Sequence, residues 1–289
     1  MKILIAGCGY VGTALGKYLV RSGHEVWGIR RQWPADRANG IRPITADLSK
    51  FASLQDLPPA DVVVLCQAPS RQDDRYRETY FEGTRNLVAA LRDKKPRKLI
   101  LISSTSVYSQ KGGEWVDEAT PPGADAYETE EAAQNAKVLL ETERFVLNSE
   151  LPATVFRLGG IYGPGRHRLR LLKEGKMKPS FSDVYTNRIH VDDVVAGIVL
   201  LMEKGKAGEV YLGVDDAPST QKEFYSWLCE KVSLTVKGSD PVTSGGQTPL
   251  RAHGPNKRCS NKKIKDLGLK LKYPSFREGY AELIEEVYG

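Results

Sequence analysis

Two hydrophobic periods take turns along the first half of the chain. Lys2 to Ala6 is a short apolar run with two β-branched isoleucines, the pattern of a buried strand. Thr13 to Val20 sets Ala14, Leu15, Tyr18 and Leu19 on one face of a helix, and Glu25 to Ile29 returns to strand. Ile41 to Ala46 and Lys98 to Ser103 are further strands. Asp61 to Cys66 is the apolar run of a central parallel strand, covered on both faces. Arg71 to Asp93 has helical spacing at Leu87, Val88 and Leu91. Gln110 to Asp125 is loop, Ala126 to Asn148 a long helix, and Ala153 to Leu158 a strand. Strand and helix alternating about six times predict an α/β fold with a parallel, doubly wound sheet.

The second half is less regular. Gly159 to Asp183 is rich in Gly, Arg and Lys. Arg188-Ile189-His190 leads into a helix that starts at Asp192-Asp193 and runs through Met202. Gly208 to Leu212 has strand character, and Thr220 to Val232 is an amphipathic helix capped by Ser219 or Thr220. Lys237 to Lys257 is a polar loop, and Ser260 to Leu267 and Ser275 to Tyr288 are closing helices. These elements cannot make a full sheet of their own. The division they predict is a main domain over 1–160 and about 184–215, with a small C-terminal lobe from about 161–183 and 216–289.

Between the first strand and helix stands Gly7-Cys8-Gly9-Tyr10-Val11-Gly12. Gly7 permits a tight turn, Gly9 lets a pyrophosphate approach the backbone, and Gly12 lets helix and strand pack closely. The free N–H groups at the helix start, over Tyr10 and Val11, favour that anion. A glycine turn without a ligand is the plainer reading, but the strand–turn–helix setting favours dinucleotide binding. At the end of the second strand Arg30-Arg31 stand where a carboxylate would hold the ribose of NAD; arginine there suits the 2′-phosphate of NADP. NADP is therefore the expected cofactor, with NAD possible. Asp47 could accept from an adenine amino group or cap the turn before Ser49. Gln67 and Ala68 follow the central strand where a cofactor ribose would pass.

Charge and cysteine content narrow the picture further. A net charge of +6 over 289 residues suits anionic ligands, and it is not gathered into the blocks of a nucleic-acid tail. Cys8, Cys66, Cys229 and Cys259 are far apart without metal-ligand spacing, so reduced thiols in a cytoplasmic protein are expected and no metal is. No stretch reaches the roughly 18 apolar residues of a membrane span.

Taken in order, Gly7-x-Gly9-x-x-Gly12, Gly83-Thr84-Arg85-Asn86-Leu87, Ser103-Ser104-Thr105-Ser106-Val107-Tyr108, Tyr127, Arg157-Leu158-Gly159-Gly160-Ile161-Tyr162-Gly163-Pro164-Gly165 and Arg188-Ile189-His190-Val191-Asp192-Asp193 form a recognisable series. Asn261-Lys262-Lys263-Ile264 to Leu267-Gly268 closes it. The chain resembles the short-chain dehydrogenase/reductase superfamily, and within it the extended or atypical NAD-dependent epimerase/dehydratase branch. That resemblance implies an NAD(P)-binding Rossmann fold and a nucleotide-sugar-like anionic substrate, and it leaves a homodimer open.

It also implies a catalytic set of Ser or Thr, Tyr, and a Lys four residues after the Tyr. Ser104 would orient a substrate oxygen and Tyr127 would exchange its proton, with the lysine ammonium favouring the phenolate. The lysine position is Glu131 here, and a carboxylate near the phenol raises its pKa. Lys137 is ten residues beyond Tyr127, roughly 15 Å along a helix. Glu128, Glu130 and Glu131 also fit a plain acidic helix start. Ala6 and Tyr80 depart from the family pattern as well, toward its atypical branch. Two other readings follow from Glu131: a non-catalytic NADP(H)-binding sensor or partner protein, and a reductase whose acid is Tyr108 or Tyr162. The basic residues Arg166, His167, Arg168, Arg170, Lys173, Lys176 and Lys178, with Lys257 and Arg258, could hold an anionic substrate or form a solvated surface. His190, Asp192 and Asp193 suit a structural cap.

Overall fold

The computed structural model describes residues 1–34, 40–69, 75–123, 127, 129–232 and 255–288. Strand β1 (Lys2–Ala6) is buried on both faces from Ile3 onward. Its alternating side chains feed two separate cores. Ile3 and Ile5 join Leu15 and Leu19 of α1 (Tyr10–Arg21), while Leu4 and Ala6 point to the opposite layer. Strands β2 (Glu25–Arg30) and β3 (Arg42–Thr45) extend the sheet to one side. The chain then crosses back: β4 (Val62–Leu65) pairs with the other edge of β1, followed outward by β5 (Lys98–Ser104). After α2 (Gly83–Leu91), the short strand β6 (Glu114–Val116) and α3 (Glu130–Leu147) comes β7 (Ala153–Leu158). Next in the chain are β8 (Gly160–Tyr162), α4 (Leu169–Lys173), β9 (Tyr185–Thr186), β10 (Arg188–His190), α5 (Val191–Lys204) and β11 (Val210–Gly213).

The main sheet is seven-stranded and parallel throughout, in the order β11-β7-β5-β4-β1-β2-β3. Helices α1 and α5 cover one face and α2 and α3 the other. The expected doubly wound α/β architecture is therefore present. Its strand order reverses between β1 and β4, which opens a crevice beyond their C-terminal ends.

The rest of the chain gathers over that crevice. Strand β12 (Ser219–Thr220), α6 (Gln221–Lys231), β13 (Lys257–Cys259), α7 (Lys262–Leu267) and α8 (Phe276–Tyr288) complete it. Phe224, Tyr225 and Leu228 of α6 and Phe276, Tyr280 and Leu283 of α8 pack with Tyr162, Leu169 and Leu172 as a third apolar cluster. Ile264 of α7 instead belongs to the main core.

Two helices differ from their sequence pattern. The helix expected over Arg71 to Asp93 has residues 71–74 outside the described residues and carries a π-helical turn at Glu78–Glu82 before α2 begins. Gln67 explains the turn: its Nε2 donates to the Thr79 carbonyl (2.9 Å), the Tyr80 carbonyl (3.2 Å) and Thr84 Oγ1 (2.7 Å). A donor inserted there displaces the ordinary helical ladder. The helix expected from Ala126 starts at Glu130. Thr129 is its cap, with Oγ1 accepting from the Ala132 N–H at 3.2 Å. Most of the loop expected over Lys237 to Lys257 lies outside the described residues, and its last residue opens β13.

Candidate active site

A cleft of about 1950 Å³ runs along the C-terminal ends of the strands and continues beneath α6 and α8. Its first half is lined by Gly7, Gly9, Tyr10, Val11, Arg30, Arg31, Asp47, Gln67 and Ala68. The three motif glycines have distinct surroundings. Gly7 has φ +85°, and a Cβ there would lie 2.5 Å from Gln67 Cα across the β1–β4 crevice. A Cβ on Gly12 would meet the Gly7 carbonyl oxygen at 2.7 Å, so Gly12 serves packing and does not line the cleft. A Cβ on Gly9 would meet nothing within 4 Å, which leaves backbone facing open space at the helix start. That cradle fits the pyrophosphate of a dinucleotide.

Arg30 and Arg31 are both exposed at the cleft edge, and Arg30 Nη1 reaches the Cys8 carbonyl at 3.5 Å. Asp47 Oδ1 accepts from the N–H and hydroxyl of Ser49 (3.1 and 2.8 Å), so its carboxylate caps that turn while lining the cleft. Burial works against its ionisation, but Ser49, Arg31 and Lys50 hold its pKa below the ordinary range. Gln67 lines the cleft, with its side-chain nitrogen committed to the π-turn. Burial pushes the thiols of Cys8 and Cys66 up, so neither cleft cysteine is a thiolate near neutral pH.

Ser104 and Tyr127 line the middle of the cleft. Ser104 Oγ accepts from the Ser106 N–H at 3.1 Å, which leaves the hydroxyl proton available to a substrate oxygen. Tyr127 precedes the Thr129 cap and therefore lies off α3. Glu131 is exposed in the first turn of α3 and is not among the cleft-lining residues. The tyrosine and the former lysine position thus do not share a helix face.

Behind Ser104 lies a buried ionic network that pattern reasoning missed. Ser103 Oγ donates to Glu143 Oε1 (2.5 Å), and Arg157 Nη2 binds Glu143 Oε2 (2.7 Å). Arg157 Nη1 donates to the Tyr108 hydroxyl (2.7 Å), which donates to the Asp117 carbonyl (2.7 Å). The network ties α3 to β5 and β7. A glutamate among the apolar positions Leu139, Leu140 and Val146 was its sequence signal. Tyr108 is fully buried here, outside the cleft lining, and burial pushes its hydroxyl up to about 12. It is not a candidate acid. Tyr162 does line the cleft, stacked on Tyr280 at 4.9 Å, with its pKa raised by burial.

The basic loop divides. Arg166, His167, Arg168 and Arg170 line the cleft; Lys173, Lys176 and Lys178 do not. Lys257 faces the cleft from β13, whereas Arg258 donates to the Gly113 carbonyl and packs on Trp115. His190 Nδ1 accepts from the Asp192 N–H, and Asp193 accepts from the Lys272 and Tyr273 N–H groups, all structural roles.

Residues 3–212 match the model of the NAD dependent epimerase/dehydratase family. The chain belongs to that family. Among curated relatives of this epimerase/dehydratase chain, Protein YeeZ of Escherichia coli (strain K12) is 31% identical over 248 residues, spanning 81% of this chain and 84% of YeeZ. A solved structure from Methylobacillus flagellatus that bears the same family name is 31% identical, with a TM-score of 0.78, covering 100% of this chain and 99% of its own. DesIV, a dTDP-glucose 4,6-dehydratase of Streptomyces venezuelae solved with NAD bound, shares the fold: TM-score 0.79 at 21% identity, over 99% and 96% of the two chains. The Rossmann architecture and the glycine cradle are thus those of an NAD(P)-binding family. Among the described residues, no helix is long and apolar enough to cross a membrane.

Proposed function

We propose that this protein is an NAD(P)-dependent oxidoreductase of the epimerase/dehydratase type, that it prefers NADP, and that it acts on an anionic, nucleotide-sugar-like substrate. The observation that carries the reading is continuity: one cleft joins the glycine cradle to Ser104, Tyr127 and the cationic substrate half. Gly7, Gly9, Tyr10 and Val11 hold the pyrophosphate, Arg30 and Arg31 take the 2′-phosphate, and Asp47, Gln67 and Ala68 follow the ribose and adenine. The bound nicotinamide supplies the hydride acceptor or donor. Ser104 donates its free proton to the substrate oxygen, and Tyr127 exchanges a proton with it. Among the described residues, Lys257 is the lysine that lines this cleft. Glu131 stands outside the cleft, so it does not by itself argue for a non-catalytic sensor.

The test is titration of the purified protein with NADPH and NADH by nucleotide fluorescence, repeated with Arg30→Ala and Arg31→Ala. The expected result is an NADPH preference that both variants reduce. Equal affinity for the two nucleotides in the wild type removes the NADP assignment, and binding of neither removes the oxidoreductase reading.

A further inference from the structure

The substrate half of the cleft is lined by an arginine, Arg188, that makes no salt bridge with any described residue. Arg188 lies on β10, and its guanidinium carbon sits over the Phe224 ring, 3.9 Å from the centroid, with the Phe276 ring centroid at 5.5 Å. One of its nitrogens, Nη1, donates to Ser219 Oγ at 2.8 Å. No carboxylate among the described residues pairs with it. Asp215 is a buried acid whose N–H is bonded to the Arg188 carbonyl; its carboxyl feels the Arg188 charge and the Ala217 N–H but forms no ion pair. Burial pushes the Asp215 carboxyl up to about 8, against the pull of the Arg188 charge. A second cation, Arg168, stands on the same wall with Nη1 on the Tyr225 hydroxyl at 2.6 Å. Gln221, also in that wall and 8% exposed, has a buried amide oxygen without a partner.

A guanidinium taken out of water without an ion-pair partner is costly, and one that lines a cleft recovers that cost when a ligand anion binds. Phe224 lies against the guanidinium and Ser219 takes Nη1, so an anion is met by the remaining N–H groups. The strand that carries Arg188 runs beside the segment that follows β7. Ser104 pairs with Leu158, and two residues later Gly160 pairs with Arg188. Ser104 and Arg188 both line the one cleft, so a single ligand can span them.

We propose that Arg188, supported by Arg168, is a carboxylate subsite, and that the substrate carries an acidic group beside the part of the molecule held by Ser104. Gln221 accepts from a hydroxyl of the same ligand. This rests on the reading of the cleft as a substrate site, and deepens it from an anionic substrate to a sugar acid or similar hydroxy acid.

The experiment is calorimetric titration of the full chain with UDP-glucuronate and UDP-glucose, for wild type, Arg188→Gln and Arg188→Lys. Free glucuronate and glucose are compared in parallel by thermal shift. The expected result is at least tenfold tighter binding of UDP-glucuronate by the wild type. Arg188→Gln abolishes the preference and Arg188→Lys keeps part of it, with NADPH affinity unchanged in both. Equal affinity in the wild type, or a preference that survives Arg188→Gln, overturns the subsite while leaving the nucleotide-sugar reading standing. If neither UDP-sugar binds but glucuronate alone raises the melting temperature, and Arg188→Gln removes that shift, the subsite stands and the nucleotide part fails. If glucuronate has no effect either, the subsite is overturned.

Discussion

Gly7 and Gly9 are two residues apart in one motif, and the structure predicts that adding a methyl group to each has opposite consequences. At Gly7 the backbone has φ +85°, and the new Cβ would sit 2.5 Å from both Cα and N of Gln67. Left-handed backbone costs an L-residue about 1–2 kcal/mol, and pushing β1 and β4 apart at the crevice adds to it. Gly7→Ala should therefore lose about 3 kcal/mol or more of stability. At Gly9 φ is −86°, and the Cβ would enter empty space. Its effect on folding should stay within about 1 kcal/mol. That same space is where a pyrophosphate meets the helix start. Hydrogen bonds to charged groups contribute about 1.5–3 kcal/mol each. Displacing the phosphates from one of them weakens NADPH binding by about 2–3 kcal/mol, or roughly 30- to 150-fold. Urea denaturation followed by circular dichroism gives the stabilities, and nucleotide fluorescence gives the affinities. A Gly9→Ala protein that binds NADPH like the wild type would refute the cradle assignment. One as unstable as Gly7→Ala would refute the packing argument.

Three further outcomes are expected. Glu143→Ala leaves Arg157 buried without its carboxylate and should cost about 3–5 kcal/mol in urea denaturation, whereas an exposed control such as Glu131→Ala should change little. Glu131→Lys should leave both NADPH affinity and any turnover near wild-type values, because the side chain stands outside the cleft; a large gain in turnover would show that the helix start reaches the reacting atoms. Asp215 has a folded-state pKa of about 8, above the ordinary carboxylate value. The folded protein keeps a proton that the unfolded chain has released, so this group makes stability fall as pH rises from about 4 to about 8. At about 1.36 kcal/mol per pH unit, the window spans about 5 kcal/mol at most. Asp215→Asn should flatten that part of the stability–pH curve, and an unchanged slope between pH 5 and 8 would count against a neutral buried carboxyl.

Local order in this chain was legible because it is written locally. The Ile3-Leu4-Ile5 alternation, the three glycines and the apolar run Val62–Leu65 each depend on neighbours within a few residues, and they specify the strand, the turn and the parallel sheet by themselves. The nomination of Ser104 and Tyr127 came from motif order, and both line the cleft. What only the tertiary structure decided are contacts between distant residues. The Gln67 side-chain nitrogen is engaged inside the fold because Thr79, Tyr80 and Thr84 are brought beneath it. Tyr127 leaves its helix because Thr129 caps the chain first. The Ser103–Glu143–Arg157 network joins three elements, and Arg188 becomes a cleft cation only once Phe224 and Phe276 fold over it. No periodicity encodes such pairings, since burial and charge balance at a residue depend on which remote side chains the sheet brings against it.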